Sequence, residues 1–306
     1  MSRRELDAAG IREPALRSAY EMCRRLNAVH GRTYYLATLL LPPAKRPFVH
    51  ALYGFARKAD EYVDSAIPDP DRLVAWGEQF LHDLDSTPVE KVVDPVSRAA
   101  VHTARTWDIP RETFVAFLAS MRMDIVVTGY PTYADLEAYM EGSAAVIGLQ
   151  MVPILEPVDD RAAGHARILG EAFQMSNFVR DVAEDLRRGR VYLPQDDLDR
   201  FGVTPAELTR GPTPPQVREL LAFEVARARA LYAAAEPGID MLHPSSRDCI
   251  RTAFVLYRAI LDAVERADYQ VLDRRVAVPI PRRLSVALPA LVRARRARGA
   301  PTTPTS

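Results

Sequence analysis

Apolar residues recur at spacings of three and four along most of the chain, with charged residues between them. This spacing is typical of amphipathic helices, which bury one face and expose the other. Prolines interrupt the pattern and leave helical segments that are mostly about 15 to 30 residues long. No series of short alternating segments joined by Asn-Gly or Asp-Gly turns is present, which argues against a sheet. The pattern therefore predicts an all-α protein.

The proline breaks do not coincide with a flexible linker or a shift in composition, so we predict one helical domain over residues 1–292. Residues 293–306 are basic and end in PTTPTS, which predicts a disordered tail. From Arg274 onward there are eight arginines and no acidic residue. This stretch suits either a solvated tail or, with the apolar residues of 286–292, contact with an anionic membrane surface.

The composition excludes several classes of protein. The 306 residues carry 40 basic and 40 acidic side chains, and this balance argues against a nucleic-acid-binding protein. Cys23 and Cys249 are the two cysteines and form no CxxC motif, which suits a reducing cytosol. The N-terminus is charged and no apolar stretch reaches the ~20 residues of a spanning helix. We expect a cytoplasmic protein that is soluble or lies on a membrane surface.

Two predicted helices each carry a narrow polar stripe beside their apolar face. In HALYGFARKADEYVDSAI, an arc of roughly 60° holds Tyr53, Arg57, Asp60 and Asp64. In GEAFQMSNFVRDVAEDLRRGRVYLP, a similar stripe holds Gln174, Asn177, Asp181 and Asp185. Either segment alone reads as an ordinary amphipathic helix. Each stripe nevertheless places two aspartates one turn apart at the border of the buried surface.

Paired carboxylates in this position call for a compensating positive charge. Like charges four residues apart repel each other, and burial beside an apolar face adds a desolvation cost. Mg²⁺ is one candidate, because it prefers oxygen ligands and bridges carboxylates to phosphates. Arg57 and Arg180 could then hold the remaining phosphate charge by bidentate hydrogen bonds. An iron or manganese carboxylate site is disfavoured because no Glu-x-x-His pair occurs, and nucleotide-binding glycine loops are absent.

At these residues the chain resembles the squalene and phytoene synthase family, and within it the bacterial phytoene synthases. The resemblance runs from His30 to Leu291 and rests on five stretches: HGRTYYLATLLLP, ALYGFARKADEYVD, MRMDIVVTGYPTYADLEAYMEGSAAVIGL, GEAFQMSNFVRDVAEDLRRGRVYLPQDDL and SRDCIRTAFVLYRAILDAVERADYQVLDRRVAVP. The fourth is the most specific, since both D-x-x-x-D motifs are intact and RGRVYLP follows. The chain departs from the family at Ser143-Ala144-Ala145, which puts the shape of the cavity in question, and at Arg32, where many relatives have Lys.

The resemblance implies an isoprenoid-synthase-type helical bundle around a central active-site cavity. In that fold, Asp60 and Asp64 would hold Mg²⁺ on one wall, and Asp181 and Asp185 on the other, with Mn²⁺ as an alternative ion. The implied substrate contacts are His30, Arg32, Arg57, Tyr139, Gln174, Asn177, Arg180, Arg275 and Tyr257. Tyr53 and Tyr257 are the implied catalytic tyrosines. Further aromatic candidates for facing a carbocation are Tyr34, Tyr35 and Phe173.

The resemblance also implies the reaction. Two geranylgeranyl diphosphates would condense head to head through a cyclopropyl diphosphate, and loss of a proton would give phytoene for carotenoid biosynthesis. The final base would be the released pyrophosphate or a tyrosine. No NADPH is expected for this product. The implied partners are the prenyl diphosphate and downstream carotenoid enzymes. The balanced charge predicts no nucleic-acid partner, and the very apolar substrate and product favour a peripheral membrane contact.

Three alternatives remain at this point. Squalene or dehydrosqualene synthases use farnesyl diphosphate and differ in the depth of the cavity, so residues 146–155 and the helix around Phe173 matter. A catalytically silent relative is disfavoured because all four motif aspartates are present. A terpene cyclase or chain-elongating prenyl transferase normally shows a DDxx[DE] motif, whereas this chain has DEYVD.

Overall fold

Helices make up the fold, as the hydrophobic pattern predicts. The computed structural model describes residues 3–63, 69–209, 211–273 and 275–299, with side chains described through residue 294. Within these ranges the α-helices are α1 (Arg3–Ala8), α2 (Pro14–His30), α3 (Arg32–Thr38), α4 (Arg46–Val63), α5 (Pro70–Ser86), α6 (Pro95–Thr106), α7 (Arg111–Val126), α8 (Tyr133–Met140), α9 (Val146–Leu155), α10 (Ala162–Arg187), α11 (Gln195–Arg200), α12 (Pro215–Ala235), α13 (Pro244–Arg266) and α14 (Ile280–Gly299). No strand occurs in the described part of the chain, which has two isolated bridges.

Short irregular helices join some of these elements. Three 3₁₀ turns cover Val89–Lys91, Pro205–Leu208 and Glu236–Met241. A π-helical turn, Glu141–Ala145, connects α8 to α9 without a break. Turns of this kind widen a helix locally and often occur at functional sites.

Prolines begin several helices, as the sequence predicts. Pro70, Pro95, Pro215 and Pro244 lie in the first turns of α5, α6, α12 and α13, where a missing N–H costs no intrahelical bond. Aspartates complete two of these starts: Asp69 and Asp94 each accept a backbone N–H of the following turn. Pro153 is an exception, since it lies inside α9 and not at its end.

Two clusters of buried side chains form the core. One is built mainly from α2, α4, α5, α6 and α7, and includes Phe55 and Phe80. The other is built mainly from α8, α10, α12 and α13, and includes Met175 and Phe254. Phe173 of α10 packs against both clusters. Because side chains of both clusters line one cavity, the cavity lies between them.

Helices close to this cavity approach one another without side chains between them. A Cβ added at Gly170 of α10 would lie 2.4 Å from the carbonyl oxygen of Ala144 in the π-helical turn. A Cβ at Gly148 of α9 would lie 2.2 Å from the carbonyl oxygen of Ala166. Both positions therefore require glycine, because any larger residue would separate α9 from α10.

The continuous helix Tyr133–Leu155 is the one described helix that is long and apolar enough to cross a membrane. Length and composition are its only membrane-like features, and 56% of its most apolar window is buried inside the protein. Ser143, Ile147 and Met151 on this helix line the cavity. Such a helix is equally typical of a protein core.

Residues 293–299 differ from the expected disordered tail. The backbone of α14 stays helical to Gly299, and the helix packs on α13. Ala290 and Ala294 are buried, and Arg293 Nε donates to Asp248 Oδ1 at 3.0 Å. These contacts account for order beyond residue 292. Residues 300–306 lie outside the described residues.

Candidate active site

A cavity of about 450 Å³ runs along α10, and its lining changes from apolar to polar along that helix. The first half of α10 contributes the apolar residues Ala162, Ala166, Leu169 and Phe173, with His165 as its one polar side chain on the cavity among the described residues. The second half contributes Gln174, Asn177, Asp181 and Asp185. Since a helix rises 1.5 Å per residue, residues 162 and 185 are separated by roughly 35 Å. The cavity is therefore elongated, with a polar end and an apolar end.

The opposite wall is formed by α4, and its cavity-lining residues also change from apolar to polar toward the end of the helix. Val49, Leu52 and Ala56 line the cavity ahead of Asp60, which lies in the last turn described. Asp60 of the first predicted stripe and Asp181 and Asp185 of the second therefore line one cavity. The predicted ligand Asp64 lies outside the described residues.

Asp181 is held by two arginines. Arg180 Nε donates to Oδ1 at 2.8 Å, and Arg275 Nε donates to the same oxygen at 2.9 Å. The Nη2 atoms of both guanidinium groups donate to Oδ2. Arg180 belongs to α10, whereas Arg275 lies in the segment between α13 and α14. Two bidentate pairs on one carboxylate concentrate positive charge at the polar end of the cavity.

The rest of the predicted stripe continues this network. Arg180 Nη2 donates to Asn177 Oδ1 at 3.1 Å, and Asn177 Nδ2 donates to Gln174 Oε1 at 3.4 Å. The side chains of Gln174, Asn177 and Asp181 therefore form one hydrogen-bonded row along α10. Their orientation is set by neighbouring protein groups before any substrate binds.

Asp185 carries the clearest electrostatic signal in the cavity. Burial, together with the smaller effect of the charge of Asp181, raises its pKa to about 8. A carboxylate in this position is costly to ionise without a cation nearby. A divalent cation with oxygen ligands fits this donor set, because its charge would offset both effects. Among the described residues, no three His, Cys, Asp or Glu side chains form a group that could hold a metal ion.

On α4, Arg57 has a buried side-chain nitrogen that lacks a hydrogen-bond partner among the described residues. This atom is Nε, and Glu61 lies 3.7 Å away. Arg57 lies one turn before Asp60 and does not itself line the cavity. An anion at the polar end would supply the acceptor that this guanidinium lacks.

His30 and Arg32 are not brought to the cavity. Both are exposed where α2 meets α3, and neither is among the described residues that line it. Gly31 between them packs against Tyr53, with an added Cβ only 2.5 Å from the ring. The two side chains flank the cavity wall without entering it. Their role in binding diphosphate stays a prediction.

The predicted tyrosines lie in two layers, one that lines the cavity and one behind it. Tyr34, Tyr53 and Tyr139 line the cavity together with Phe173. Tyr257 lies behind this layer, with its ring stacked on Phe173 at 4.4 Å between centroids and 4.9 Å from Tyr34. Burial raises the pKa of each of these tyrosines, so the hydroxyl groups are protonated.

Tyr35, also an aromatic candidate, does not reach the cavity. Its ring stacks on His50 at 5.5 Å, and its hydroxyl accepts a hydrogen bond from Arg24 Nη1 at 3.1 Å. It is not among the described residues that line the cavity. Successive residues of α3 point in directions about 100° apart, so Tyr34 faces the cavity and Tyr35 does not.

Asp124 of α7 was missed at the sequence level. It is buried and lines the cavity, where Tyr139 Oη donates to Oδ2 at 2.7 Å and Tyr192 Oη donates to Oδ1 at 2.9 Å. Tyr192 stacks on Phe178 at 4.2 Å. In the sequence, the feature that could have indicated this residue is a single acid inside the apolar run of α7, within the MRMD stretch.

Arg188 and Arg190 were also missed, although they belong to the RGRVYLP stretch. Both line the cavity. Arg190 Nη2 donates to the carbonyl of Val63 at 3.4 Å, which ties the end of α10 to the end of α4. In the sequence, the feature that could have indicated them is the group of basic residues that closely follows the second acidic motif.

Comparison with known proteins decides the family. The model of the squalene/phytoene synthase family matches residues 28–282. The chain belongs to the squalene/phytoene synthase family. This family member is 36% identical over 302 residues to a phytoene synthase of Arthrospira platensis, covering 93% of this chain and 96% of that protein. It is 35% identical to the 15-cis-phytoene synthase of Synechocystis sp., covering 88% and 83% of the two chains.

Solved structures of the family share the fold. A dehydrosqualene synthase in complex with ligand matches with a TM-score of 0.84 and 26% identity, covering 92% of this chain and 98% of that one. The squalene synthase HpnC from Alicyclobacillus acidocaldarius matches with a TM-score of 0.75 and 29% identity, covering 86% and 99%. The isoprenoid-synthase fold predicted for this family member is thereby confirmed.

Proposed function

We propose that this protein is a prenyl transferase that condenses two geranylgeranyl diphosphates head to head and forms phytoene. The observation that carries the proposal is the single elongated cavity with aspartates and arginines at one end and apolar walls along the rest. A prenyl diphosphate has this same division between a charged head and a long hydrocarbon chain. The curated relatives named phytoene synthase, at 33–36% identity over most of the chain, favour this product.

The residues of the polar end would bind and stabilise the diphosphate groups. Arg180 and Arg275 already lie at Asp181, and Arg57 has a buried Nε available to an anion. Asp60 and Asp64 on one wall, with Asp181 and Asp185 on the other, are the groups that would hold Mg²⁺. When bound, this ion supplies Lewis-acid stabilisation of the leaving pyrophosphate. Guanidinium groups add charge-assisted hydrogen bonds to the same leaving group.

The reaction proceeds through two ionisations. Loss of pyrophosphate from the first substrate gives an allylic cation, which the double bond of the second substrate attacks. A proton is lost as the cyclopropane ring closes, and the cyclopropyl diphosphate results. Its own ionisation and rearrangement give a second cation, and loss of another proton gives the hydrocarbon. The balance is two geranylgeranyl diphosphates to one phytoene, two pyrophosphates and two protons, and no hydride donor is needed.

Aromatic faces and the exclusion of water protect these cations. Tyr34, Tyr53 and Phe173 present rings to the cavity between its polar and apolar portions. Asp124 adds a buried carboxylate beside Tyr139, and its charge attracts a nearby cation. Since burial keeps the tyrosine hydroxyls protonated, they are weak bases. We therefore favour the released pyrophosphate as the final base.

The second candidate is a squalene or dehydrosqualene synthase that uses farnesyl diphosphate. The solved structures favour this candidate, since the match to the dehydrosqualene synthase covers 98% of that enzyme's chain with a TM-score of 0.84. The two functions share the polar end of the cavity and differ in the chain that the apolar end accepts. Met151, Val152 and Leu155, which belong to the stretch 146–155, line the apolar portion.

A product assay tests the proposal. Purified protein with Mg²⁺ and without NADPH is given geranylgeranyl or farnesyl diphosphate separately, and the hydrocarbon is identified by mass spectrometry. We expect a forty-carbon hydrocarbon with three conjugated double bonds from geranylgeranyl diphosphate. A thirty-carbon product from farnesyl diphosphate alone would replace the first candidate by the second.

We place the protein in the cytoplasm, where downstream carotenoid enzymes would consume the product.

A further inference from the structure

Helix α14 carries an exposed aliphatic stripe. Nine large hydrophobic side chains of the described residues are exposed, and four of them belong to this helix: Ile280, Leu284, Leu288 and Val292. Their exposed fractions range from 46% to 69%. Residues four apart lie one above another on a helix, so these side chains form one continuous strip. We call it the α14 stripe.

The other face of α14 holds the helix on the protein. Ala287, Ala290 and Ala294 are buried against the rest of the chain, and α13 is the main neighbour of α14. Arg293 pairs with Asp248 of α13 at 3.0 Å. The α14 stripe is therefore presented outward by a helix that is already packed in place.

The part of the chain that contains the α14 stripe carries positive charge only. All 40 acidic residues of the chain precede residue 274, whereas eight arginines and no acid follow from there. The first 273 residues thus carry 32 basic and 40 acidic side chains, a net charge of −8. An anionic surface would repel most of the molecule and attract only the end that contains α14. The match to the family model ends at residue 282, just after α14 begins.

We propose that α14 docks this protein on the surface of an anionic lipid bilayer. The α14 stripe enters the boundary between headgroups and acyl chains, and the arginines contact the phosphate groups beside it. A second copy of the chain is a poorer occupant, because pairing two α14 helices would bring twelve arginines together. The combination of exposed aliphatic residues with arginine and no acid is typical of interfacial helices.

Docking through α14 would also bring the polar end of the cavity near the bilayer. Arg275, which pairs with Asp181, precedes Ile280 by five residues. Five residues span at most about 18 Å even when fully extended. This step rests on the proposed function: the lipid would receive a hydrocarbon product that water does not dissolve. Lipid binding itself rests on α14 alone.

Vesicle co-sedimentation without substrate tests the proposal. Vesicles of phosphatidylcholine alone are compared with vesicles that contain roughly one-third phosphatidylglycerol. The full-length protein is compared with the double variant Leu284→Ser and Leu288→Ser, which changes two exposed positions. The matched control is Val93→Ser with Val158→Ser, since both valines are exposed and lie outside α14. Circular dichroism checks that each variant keeps its helical content.

We expect binding to the anionic vesicles that falls as salt is raised, with at least a roughly tenfold loss in the α14 double variant and none in the control. Equal binding of the α14 variant and the wild type would overturn the proposal. So would absence of binding to anionic vesicles, or concentration-dependent dimers that the α14 variant abolishes. Turnover in detergent is measured separately. A variant that loses vesicle binding and retains turnover separates docking from catalysis, and failure of the product assay would leave this result unchanged.

Discussion

Arg275 Nε and Arg180 Nε donate to the same oxygen of Asp181, at 2.9 and 2.8 Å. One arginine comes from the helix that carries the second acidic motif, and the other comes from a segment 94 residues later in the chain. Arg275 is exposed and reaches Asp181 without itself being among the described residues that line the cavity. Arg275 is a partner of Asp181, and we propose that it also contacts a diphosphate bound beside this carboxylate.

We expect Arg275→Gln to lower kcat/KM for the prenyl diphosphate by about tenfold to a hundredfold, because one charge-assisted contact is lost. Initial rates over a range of substrate concentrations give the value. The matched control is Arg251→Gln, since Arg251 is also a surface arginine paired with one aspartate, Asp240. Equal effects of the two variants would contradict a role for Arg275 in substrate binding.

Replacing Asp60 or Asp181 with alanine is expected to abolish turnover, a loss of about 10³-fold or more, while the helical circular dichroism stays unchanged. Each change removes an oxygen donor from the polar end and leaves the core intact. A chelator should likewise stop turnover of the wild type, and added Mg²⁺ should restore it without NADPH. Near-wild-type activity in either variant would refute the assignment of the metal site.

Asp124→Asn tests the buried carboxylate behind Tyr139. The amide keeps the shape but loses the charge, so we expect kcat to fall about a hundredfold with little change in KM. Asp83→Asn is the control, because Asp83 is also buried and accepts a side-chain hydrogen bond, from Gln79. If Asp124→Asn altered only the free energy of unfolding, as a purely structural residue would, its proposed electrostatic role would be wrong.

Much of this site follows from helical periodicity alone. The stripe from Gln174 to Asp185 and the position of Asp60 both depend on local spacing, and both were predicted. Asp124 was not, because its importance comes from Tyr139 and Tyr192, which approach it only after folding. Tyr257 came from the family resemblance; its ring stacks on Phe173 and is not among the described residues that line the cavity, so its contact with substrate stays a prediction.

Stability toward acid offers a test that is independent of catalysis. His50 is buried, and its Nδ1 accepts a hydrogen bond from Asn27 Nδ2 at 3.0 Å. Burial lowers the pKa of His50 from 6.5 to about 3, with a smaller contribution from the charge of Arg24. Because the folded pKa is depressed, this contribution to stability is full above pH 6.5 and is lost as the pH falls toward 3.

We expect the free energy of unfolding of the wild type to decrease by about 2 kcal/mol more between pH 6.5 and pH 4.5 than that of His50→Phe. Phenylalanine keeps a ring beside Tyr35 and cannot titrate. Urea unfolding at a series of pH values supplies both curves. Parallel curves for the two proteins would show that His50 is already charged in the folded state or does not contribute.

We propose that both diphosphates ionise in this one cavity and that their hydrocarbon parts become joined. The stoichiometry of pyrophosphate to hydrocarbon tests it most directly. With geranylgeranyl diphosphate, Mg²⁺ and no NADPH, we predict two pyrophosphates released for each forty-carbon hydrocarbon formed. One pyrophosphate per product molecule, as in chain elongation or cyclisation, would contradict the account.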